Sequence, residues 1–194
     1  MRNLTELNLL NSFPKVARDV KLRAKNKNVN RELALKFSKE YFEAIETFRY
    51  KIEPEIFGFA QFTRYHGKKV LEVGIGASTD FLQWVRGGAI TYGIDLTEEA
   101  IAHAQHRLML YNLIAQDVRV GDAEQIPYES NQFDLVYSWG VIHHSPNTFK
   151  ALEEIIRVTR PGGNIKLMIY NRNSLFAFYQ YLNHALLKGK PFRS

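Results

Sequence analysis

The sequence predicts an α/β fold with a doubly wound, mostly parallel sheet covered by helices on both faces. Short apolar runs alternate with segments of helical periodicity between residues 66 and 170, and this alternation is typical of βαβ units. The apolar runs end at glycine or acidic residues such as Gly74 and Asp95, where strands give way to loops. No internal repeat or low-complexity segment interrupts the pattern.

Length and composition favour one domain with an extension. The chain has 194 residues and no cysteine, which excludes disulfides, thiolate metal sites and cysteine nucleophiles. No apolar run approaches the ~20 residues of a membrane span, and the beginning of the sequence lacks the apolar segment of a signal peptide. We therefore expect a cytoplasmic protein.

The net charge of +6 is unevenly distributed. Residues 1–40 carry +6, residues 41–170 carry −4 and residues 171–194 carry +4. The acidic middle gives no support for a nucleic-acid surface, so we do not expect nucleic acid as a partner. The basic ends are interpreted as solvated tails, with contact to an acceptor or partner as the alternative.

Residues 1–65 are predicted to form a helical extension. Pro14 suits the first turn of a short helix over 14–24, and Asn30 suits the N-cap of a helix that begins at Arg31. Pro54 is predicted to start a further helical segment that runs to about residue 65. The apolar positions of the Arg31 helix recur at helical spacing and are Leu33, Phe37, Tyr41 and Ile45.

Residues 66–170 are predicted to form the core. Thr97 is the expected N-cap of its second helix, and Arg160–Gly163 is expected to be a turn because it contains Pro-Gly-Gly. The predicted strands cover 70–73, 90–94, 118–120, 133–137 and 165–170. The predicted helices cover 79–86, 98–111 and 148–158.

The remaining residues, 171–194, are predicted to contain a final helix over 174–187. Its apolar stripe is formed by Leu175, Phe178, Tyr179, Leu182 and Leu186.

Ligands of such sheets bind beyond the carboxyl ends of the strands, so the residues there are the candidate site. The first strand leads into Glu72-Val73-Gly74-Ile75-Gly76, followed by Ser78. Glycines permit a tight turn and close approach of a ligand, and the following helix offers N–H groups to an anionic group. A plain strand-to-helix turn is the alternative, because Gly-x-Gly alone is weak evidence.

Asp95 strengthens the hypothesis of a nucleoside site. It ends the second strand, 19 residues after Gly76, where an acid accepts hydrogen bonds from ribose hydroxyls and disfavours a 2′-phosphate. Leu96 follows it directly. The alternative is a helix-capping aspartate, although Thr97 already fills that role.

The third strand is followed by Asp122, Ala123 and Glu124. An acid there can accept from an adenine amino group, and the Ala123 N–H can approach a ring nitrogen. Position 79 would be the third glycine of a dinucleotide fingerprint but is Thr79. The pattern therefore favours a nucleoside without pyrophosphate, and a dehydrogenase is the weakest interpretation.

These motifs together resemble those of class I S-adenosylmethionine-dependent methyltransferases, which have a Rossmann-like sheet, and most of all the methyltransferase type 11 branch. The resemblance covers about residues 68–170. The motifs that carry it are 70–80, 92–96, 121–127, 133–144 and 157–170.

The resemblance implies S-adenosyl-L-methionine as cofactor, S-adenosyl-L-homocysteine as product and a small molecule as methyl acceptor. It implies that Gly74 and Gly76 line the methionine and ribose portions, and that Glu72 organises the glycine loop. The other implied contacts are Asp95 to ribose, Asp122 and Ala123 to adenine, Ser138 and Trp139 beside the sulfonium, and Arg49 to the cofactor carboxylate. The expected cofactor-binding set also includes Ser78, Leu96 and Glu124.

Methyl transfer from a sulfonium needs alignment and exclusion of water more than a fixed triad. His143 or His144 could act as general base on the loop after the fourth strand; the alternative is that the pair caps or packs the next helix. No metal site is expected, because no third ligand lies near the pair in sequence. Trp139 or Tyr41 could face the cation, with core packing as the alternative, and Arg49 could be a solvated surface residue.

The sequence departs from the family in two places. Ser78 replaces a glycine common in this loop, and its side chain could cap the helix that follows. Five strands are visible where the family usually has seven. Either the chain is truncated, or the final helix covers the sheet edge, or a partner completes the sheet. That partner could be a second copy of the chain, bound through the sheet edge or the final helix. A cofactor-binding module without catalysis is the alternative function.

Overall fold

The computed structural model describes residues 38–170. The predicted helices over 14–24 and 174–187, the cap at Asn30 and the beginning of the Arg31 helix lie outside these residues. The described helices are α1 (Lys39–Ile52), α2 (Glu55–Ala60), α3 (Thr79–Arg86), α4 (Glu98–Leu110) and α5 (Thr148–Val158). The strands are β1 (Lys69–Val73), β2 (Ile90–Asp95), β3 (Asp117–Val120), β4 (Phe133–Trp139) and β5 (Thr159–Met168). Short 3₁₀ turns cover Phe62–Tyr65 and Ile142–His144.

The five strands form one parallel sheet in the order β3-β2-β1-β4-β5. β1 is central, with Leu71 opposite Tyr92 of β2 and Val136 of β4. The strand order reverses between β1 and β4, so the carboxyl ends of these two strands form the switch point where such sheets bind ligands. The predicted fold class is therefore confirmed for the described residues.

Both faces of the sheet are buried because side chains alternate along each strand. Leu71 and Val73 of β1 pack with Ile155 and Val158 of α5 on one face. On the other face Val70 packs with the group that contains Trp84 of α3 and the residues of α2 and its following turn. The buried positions of the central strands are therefore mostly apolar, as parallel strands buried on both faces require, with Glu72 and Ser138 as buried polar exceptions.

The observed bounds differ from the predictions where tertiary pairing overrides local pattern. β4 continues two residues beyond Tyr137 and takes in Ser138 and Trp139, which pair with β5. The turn predicted at Arg160–Gly163 lies inside β5, where the pairing register shifts and Gly162 has φ +75°. This irregularity accommodates the Pro-Gly-Gly sequence without ending the strand.

The helical segment predicted from Pro54 to residue 65 is interrupted. Gln61 adopts a left-handed conformation with φ +57°, which ends α2 and starts the 3₁₀ turn. α1, which precedes it, begins at Lys39 after the N-cap Ser38, whose side chain accepts from Tyr41 N at 3.2 Å. Ser38 has an extended backbone with ψ 161°, so the predicted helix from Arg31 does not run without a break to Tyr41 and Ile45. α1 packs against α3 and α4 and reaches the carboxyl edge of the sheet. The division into 1–65, 66–170 and 171–194 stays a prediction.

Candidate functional site

A cavity of about 440 Å³ opens at the carboxyl ends of β1 and β4. One wall is α1 and the residue that follows it, and the other is the glycine loop with the segment after β4. Among the described residues its lining comprises Ile45, Phe48, Arg49, Ile52, Glu53, Glu72, Gly74, Ile75, Gly76, Ala77, Thr79, Asp80, Trp139, Gly140, Val141, His144 and Tyr170. The cavity therefore lies at the switch point of the sheet.

The glycine loop has an unusual backbone conformation that is held by hydrogen bonds to the end of β2. Gly74, Gly76 and Ser78 have φ of +82°, +47° and +57°, values that favour glycine. Gly74 N donates to Ile94 O at 2.8 Å, and Gly76 N donates to Asp95 Oδ2 at 3.0 Å.

The two glycines of the loop have different surroundings. A Cβ on Gly74 would lie 2.4 Å from Val141 Cγ2, whereas a Cβ on Gly76 would meet nothing within 4 Å. Gly76 therefore borders open space in the cavity, and Gly74 is required by packing.

Glu72 is a buried carboxyl group at the base of the cavity. It is 4% exposed, and its Oε2 has no hydrogen-bond partner among the described residues. Burial, reinforced by the nearby Asp80 carboxylate, raises the pKa of Glu72 well above its usual value. A buried oxygen without a partner can accept a hydrogen bond from a ligand in the cavity.

Asp80, in the first turn of α3, is the centre of a buried hydrogen-bond network. Its carboxylate accepts from Arg49 Nε at 2.9 Å and Arg49 Nη2 at 2.6 Å, a bidentate pair. It also accepts from the hydroxyls of Tyr50 at 3.2 Å and Tyr137 at 2.9 Å. The network fastens α1 to both α3 and β4.

Arg49 therefore lines the cavity with much of its guanidinium already engaged. Its Nη1 donates to Glu53 Oε2 at 3.0 Å, in addition to the two bonds to Asp80. Glu53 Oε1 in turn accepts from Trp139 Nε1 at 3.2 Å. The predicted contact of Arg49 with a cofactor carboxylate stays a prediction, and it has to be made with the remaining N–H groups.

Asp95 lies at the end of β2, beside the glycine loop. Besides Gly76 N, it accepts from Thr97 N at 3.1 Å and Thr97 Oγ1 at 3.0 Å. Thr97 is the N-cap of α4, as predicted, and accepts from Ala100 N. The next residue, Leu96, is 71% exposed. Asp95 and Leu96 lie outside the cavity lining.

The residues after β3 also lie outside the cavity lining. Asp122 is exposed and accepts from Glu124 N at 2.8 Å, while Ala123 packs against the core. Glu124 accepts from Asn147 N at 2.7 Å, which ties this loop to the N-cap of α5. Their predicted contacts with adenine stay predictions.

Both candidate serines are buried and turned toward backbone carbonyls. Ser138 Oγ donates to Val73 O at 2.9 Å, which joins β4 to β1. Ser78 occupies the N-cap position of α3, but its Oγ donates to Ala77 O at 2.7 Å and makes no cap bond. The expected side-chain cap is therefore wrong, because the left-handed backbone of Ser78 directs the hydroxyl elsewhere.

His143 and His144 lie in the 3₁₀ turn after β4, with ring centroids 4.1 Å apart. His144 lines the cavity, whereas His143 packs edge-on against Tyr170 at 4.9 Å. Burial lowers the pKa of His143, and the neighbouring His144 lowers it further. The imidazole that lines the cavity is that of His144, and an imidazole in such a position is a candidate proton acceptor.

The two aromatic candidates are separated. Trp139 lines the cavity and packs against Phe59 at 5.4 Å. Tyr41 lies on α1 against Phe42 at 5.5 Å and is not part of the cavity lining.

Sequence reasoning missed the polar residues that build the wall formed by α1. Asp80 lay within a recognised motif without an assigned role, and Glu53, Tyr50 and Tyr137 were not singled out. The sequence signal for Asp80 was an acid in the first turn of the helix that follows a glycine loop. Its partners lie 30, 31 and 57 residues away in sequence, and no local pattern connects them with Asp80.

Among residues 38–170, no group of three or more His, Asp or Glu side chains could hold a metal ion. None of the helices in that range is long and apolar enough to cross a membrane.

A family model described as a methyltransferase domain matches residues 71–167, half of the 194-residue chain. The matched range runs from within β1 to almost the end of β5 and includes the glycine loop and the histidine pair. The wall of the cavity that α1 forms lies outside the matched range.

Similar curated proteins include methyltransferases of two kinds. The phthiotriol/phenolphthiotriol dimycocerosates methyltransferase 1 of Mycobacterium ulcerans is 38% identical over 129 residues, covering 66% of this chain and 45% of that protein. The ubiquinone biosynthesis O-methyltransferase of Pseudomonas aeruginosa is 34% identical over 129 residues, covering 63% of this chain and 55% of that protein. The chain thus spans about half the length of these relatives.

Solved structures share the fold. The PH0226 protein of Pyrococcus horikoshii has a TM-score of 0.58 and 24% identity, over 76% of this chain and 65% of that chain. A SAM-dependent methyltransferase of Aquifex aeolicus has a TM-score of 0.52 and 21% identity, over 66% of this chain and 74% of that chain.

Proposed function

This chain belongs to the methyltransferase domain family, and on that premise we propose that it transfers a methyl group from S-adenosyl-L-methionine to a small-molecule acceptor. One observation carries the proposal: the cavity at the switch point is bordered by the open backbone of Gly76 and by the unpartnered carboxyl oxygen of Glu72. This combination suits a ligand that is both closely packed and cationic.

The residues present fit this cofactor. Its ammonium and sulfonium groups are positive, and the unpartnered Oε2 of Glu72 would accept from a positive donor group. Arg49 would meet a ligand carboxylate with the N–H groups that Asp80 and Glu53 leave free. Asp95 and Asp122 would hold the ribose and adenine groups from the adjacent strand ends. When bound, the cofactor supplies a methyl group activated by its sulfonium.

The chain's own residues would orient the acceptor and exclude water. α1 covers the cavity and is fixed by the Arg49–Asp80 pair, so the site stays shielded on that side. Trp139 is fixed by its bond to Glu53 and offers an aromatic surface to a cation. His144, which lines the cavity, would accept a proton from the acceptor when one has to leave, with His143 packed behind it.

Calorimetric titration with S-adenosyl-L-homocysteine tests the proposal. We expect binding by the full chain and a loss of about tenfold or more for Asp95→Ala, because hydrogen bonds to a charged group contribute ~1.5–3 kcal/mol. Glu98→Ala is the matched control, since Glu98 is an exposed acid in the first turn of α4. Absence of binding by the unaltered chain at sub-millimolar concentration would refute the proposal.

A cofactor-binding module without catalysis is the second candidate. It is favoured by the edge of β5, which pairs with no further strand among residues 38–170. This candidate would be favoured if the chain bound S-adenosyl-L-homocysteine tightly but formed none of it from S-adenosyl-L-methionine with any acceptor of a panel. Sedimentation velocity would show whether a second copy associates with the chain.

A further inference from the structure

Arg107 of α4 is the one arginine among residues 38–170 that is completely buried, at 0% exposure. Burying a guanidinium is costly unless its charge is paired and its N–H groups are bonded. A buried arginine outside the cavity lining therefore has to find its charge partner and hydrogen-bond acceptors within the protein.

The partners of Arg107 converge on the glycine loop. Its Nη1 donates to Ala77 O and to Thr79 Oγ1, both at 3.1 Å. Ala77 and Thr79 flank the left-handed residue Ser78, and both line the cavity. One guanidinium nitrogen thus bridges the end of the glycine loop and the beginning of α3.

The opposite side of the same guanidinium pairs with α1. Arg107 Nη2 donates to Glu46 Oε2 at 2.7 Å, and the guanidinium also lies over the ring of Phe42 at 5.1 Å. Glu46 is partly exposed, with 21% of its side chain accessible. α1 carries the cavity wall, so Arg107 contacts the loop and the wall at once.

We propose that Arg107 is a positioning residue that sets the glycine loop in its ligand-binding shape and couples this shape to the seating of α1. The inference rests on the proposed function, because the ligand measured is the cofactor product. A loop with left-handed residues at Gly74, Gly76 and Ser78 has other accessible conformations, and Arg107 selects one of them through the Ala77 carbonyl.

Arg107→Lys and Glu46→Gln test the inference in the full chain. Lysine keeps the charge but cannot reach Glu46, Ala77 and Thr79 together, so we expect S-adenosyl-L-homocysteine to bind at least about tenfold more weakly. Glu46→Gln, at a partly exposed position, should fold normally and weaken binding by a smaller factor. Glu46 Oε1 also accepts from Gln83 and Arg86 of α3, contacts that Arg107→Lys leaves in place. The double variant should therefore lose less affinity than the sum of the two single losses, because the Arg107–Glu46 pair is broken in both single variants.

Arg160→Lys is the matched control. Arg160 pairs with Asp134 at 2.7 Å. The pair lies at the beginnings of β4 and β5, at the end of the sheet opposite to the cavity, so this variant should bind like the unaltered chain. Amide exchange of residues 74–79 supplies a readout that simple loss of stability would not move selectively: it should accelerate in Arg107→Lys while β4 stays protected.

The outcomes separate the two proposals. If the unaltered chain does not bind the cofactor product, the proposed function fails. If it binds, and folded Arg107→Lys binds within about twofold of it, only the role of Arg107 is overturned. Additive losses in the double variant would overturn the coupling to α1.

Discussion

Replacing Asp80 by asparagine should weaken the attachment of α1 to α3 and β4. Asparagine has nearly the same shape but no charge, and only one of its two terminal atoms accepts hydrogen bonds. The bidentate pair with Arg49 cannot form, and Tyr137 and Tyr50 compete for the remaining oxygen. The substitution thus removes the charge that holds a largely buried guanidinium.

The magnitude follows from burial. Removing one partner of a buried ion pair costs ~3–5 kcal/mol. Asp80 is 2% exposed but Arg49 is 23% exposed, so solvent compensates part of the loss and we expect about 3 kcal/mol. For a chain of this length that corresponds to a fall in Tm of roughly 6–12 °C.

Urea unfolding followed by tryptophan fluorescence measures this cost, because Trp84 and Trp139 both lie close to Tyr137. Asp134→Asn is the control: its partner Arg160 is 46% exposed, and the asparagine oxygen can still accept from Lys69 N as Asp134 does, so the expected cost is below about 1 kcal/mol. A cost for Asp80→Asn as small as that of the control would refute the reasoning. So would additivity within ~0.5 kcal/mol when Asp80→Asn is combined with Arg49→Met.

Two further predictions concern the loop and the pH dependence of stability. Gly74→Ala places a Cβ 2.4 Å from Val141 Cγ2 at φ +82° and should lower stability by ~2 kcal/mol or more in the same urea assay; Gly58→Ala, where a Cβ meets nothing within 4 Å, should raise it by ~0.5–1 kcal/mol. Burial and the nearby Arg107 lower the pKa of His103 to about 4. Between pH ~6.5 and 4 the unfolded chain therefore binds a proton at His103 that the folded chain does not bind. The free energy of unfolding should fall as the pH is lowered through this range, and its slope against pH should be smaller in His103→Gln. An equal slope in the two proteins would contradict this assignment.

Most elements of the fold were predictable because their signals are local. The helix over Thr79–Arg86 has the predicted bounds, since a glycine loop precedes it and Gly87-Gly88 follows it. The beginning of β5 was not predictable, because Pro-Gly-Gly has the local pattern of a turn and only pairing with β4 keeps Thr159–Gly163 in the strand. Long-range pairing there outweighs local preference.

The candidate site divides in the same way. Glu72, Gly74 and Gly76 were found because strand ends converge at the edge of a parallel sheet, and all three line the cavity. Asp80 and Arg107 were not found, because an ion pair is visible only when the fold brings two distant residues together. Their partners Arg49 and Glu46 are 31 and 61 residues away in sequence.

Those separations have a consequence for the order of assembly. β1 pairs on one side with β2, about 20 residues later, but on the other with β4, where Val70 meets Leu135. The contacts of Arg107 with Glu46 and the glycine loop involve residues up to α4 only, whereas one edge of β1 is covered by β4. The bond from Trp139 to Glu53 spans 86 residues. The cavity is therefore complete only when β4 and the segment after it have paired with β1, because Trp139, Gly140 and Val141 line it.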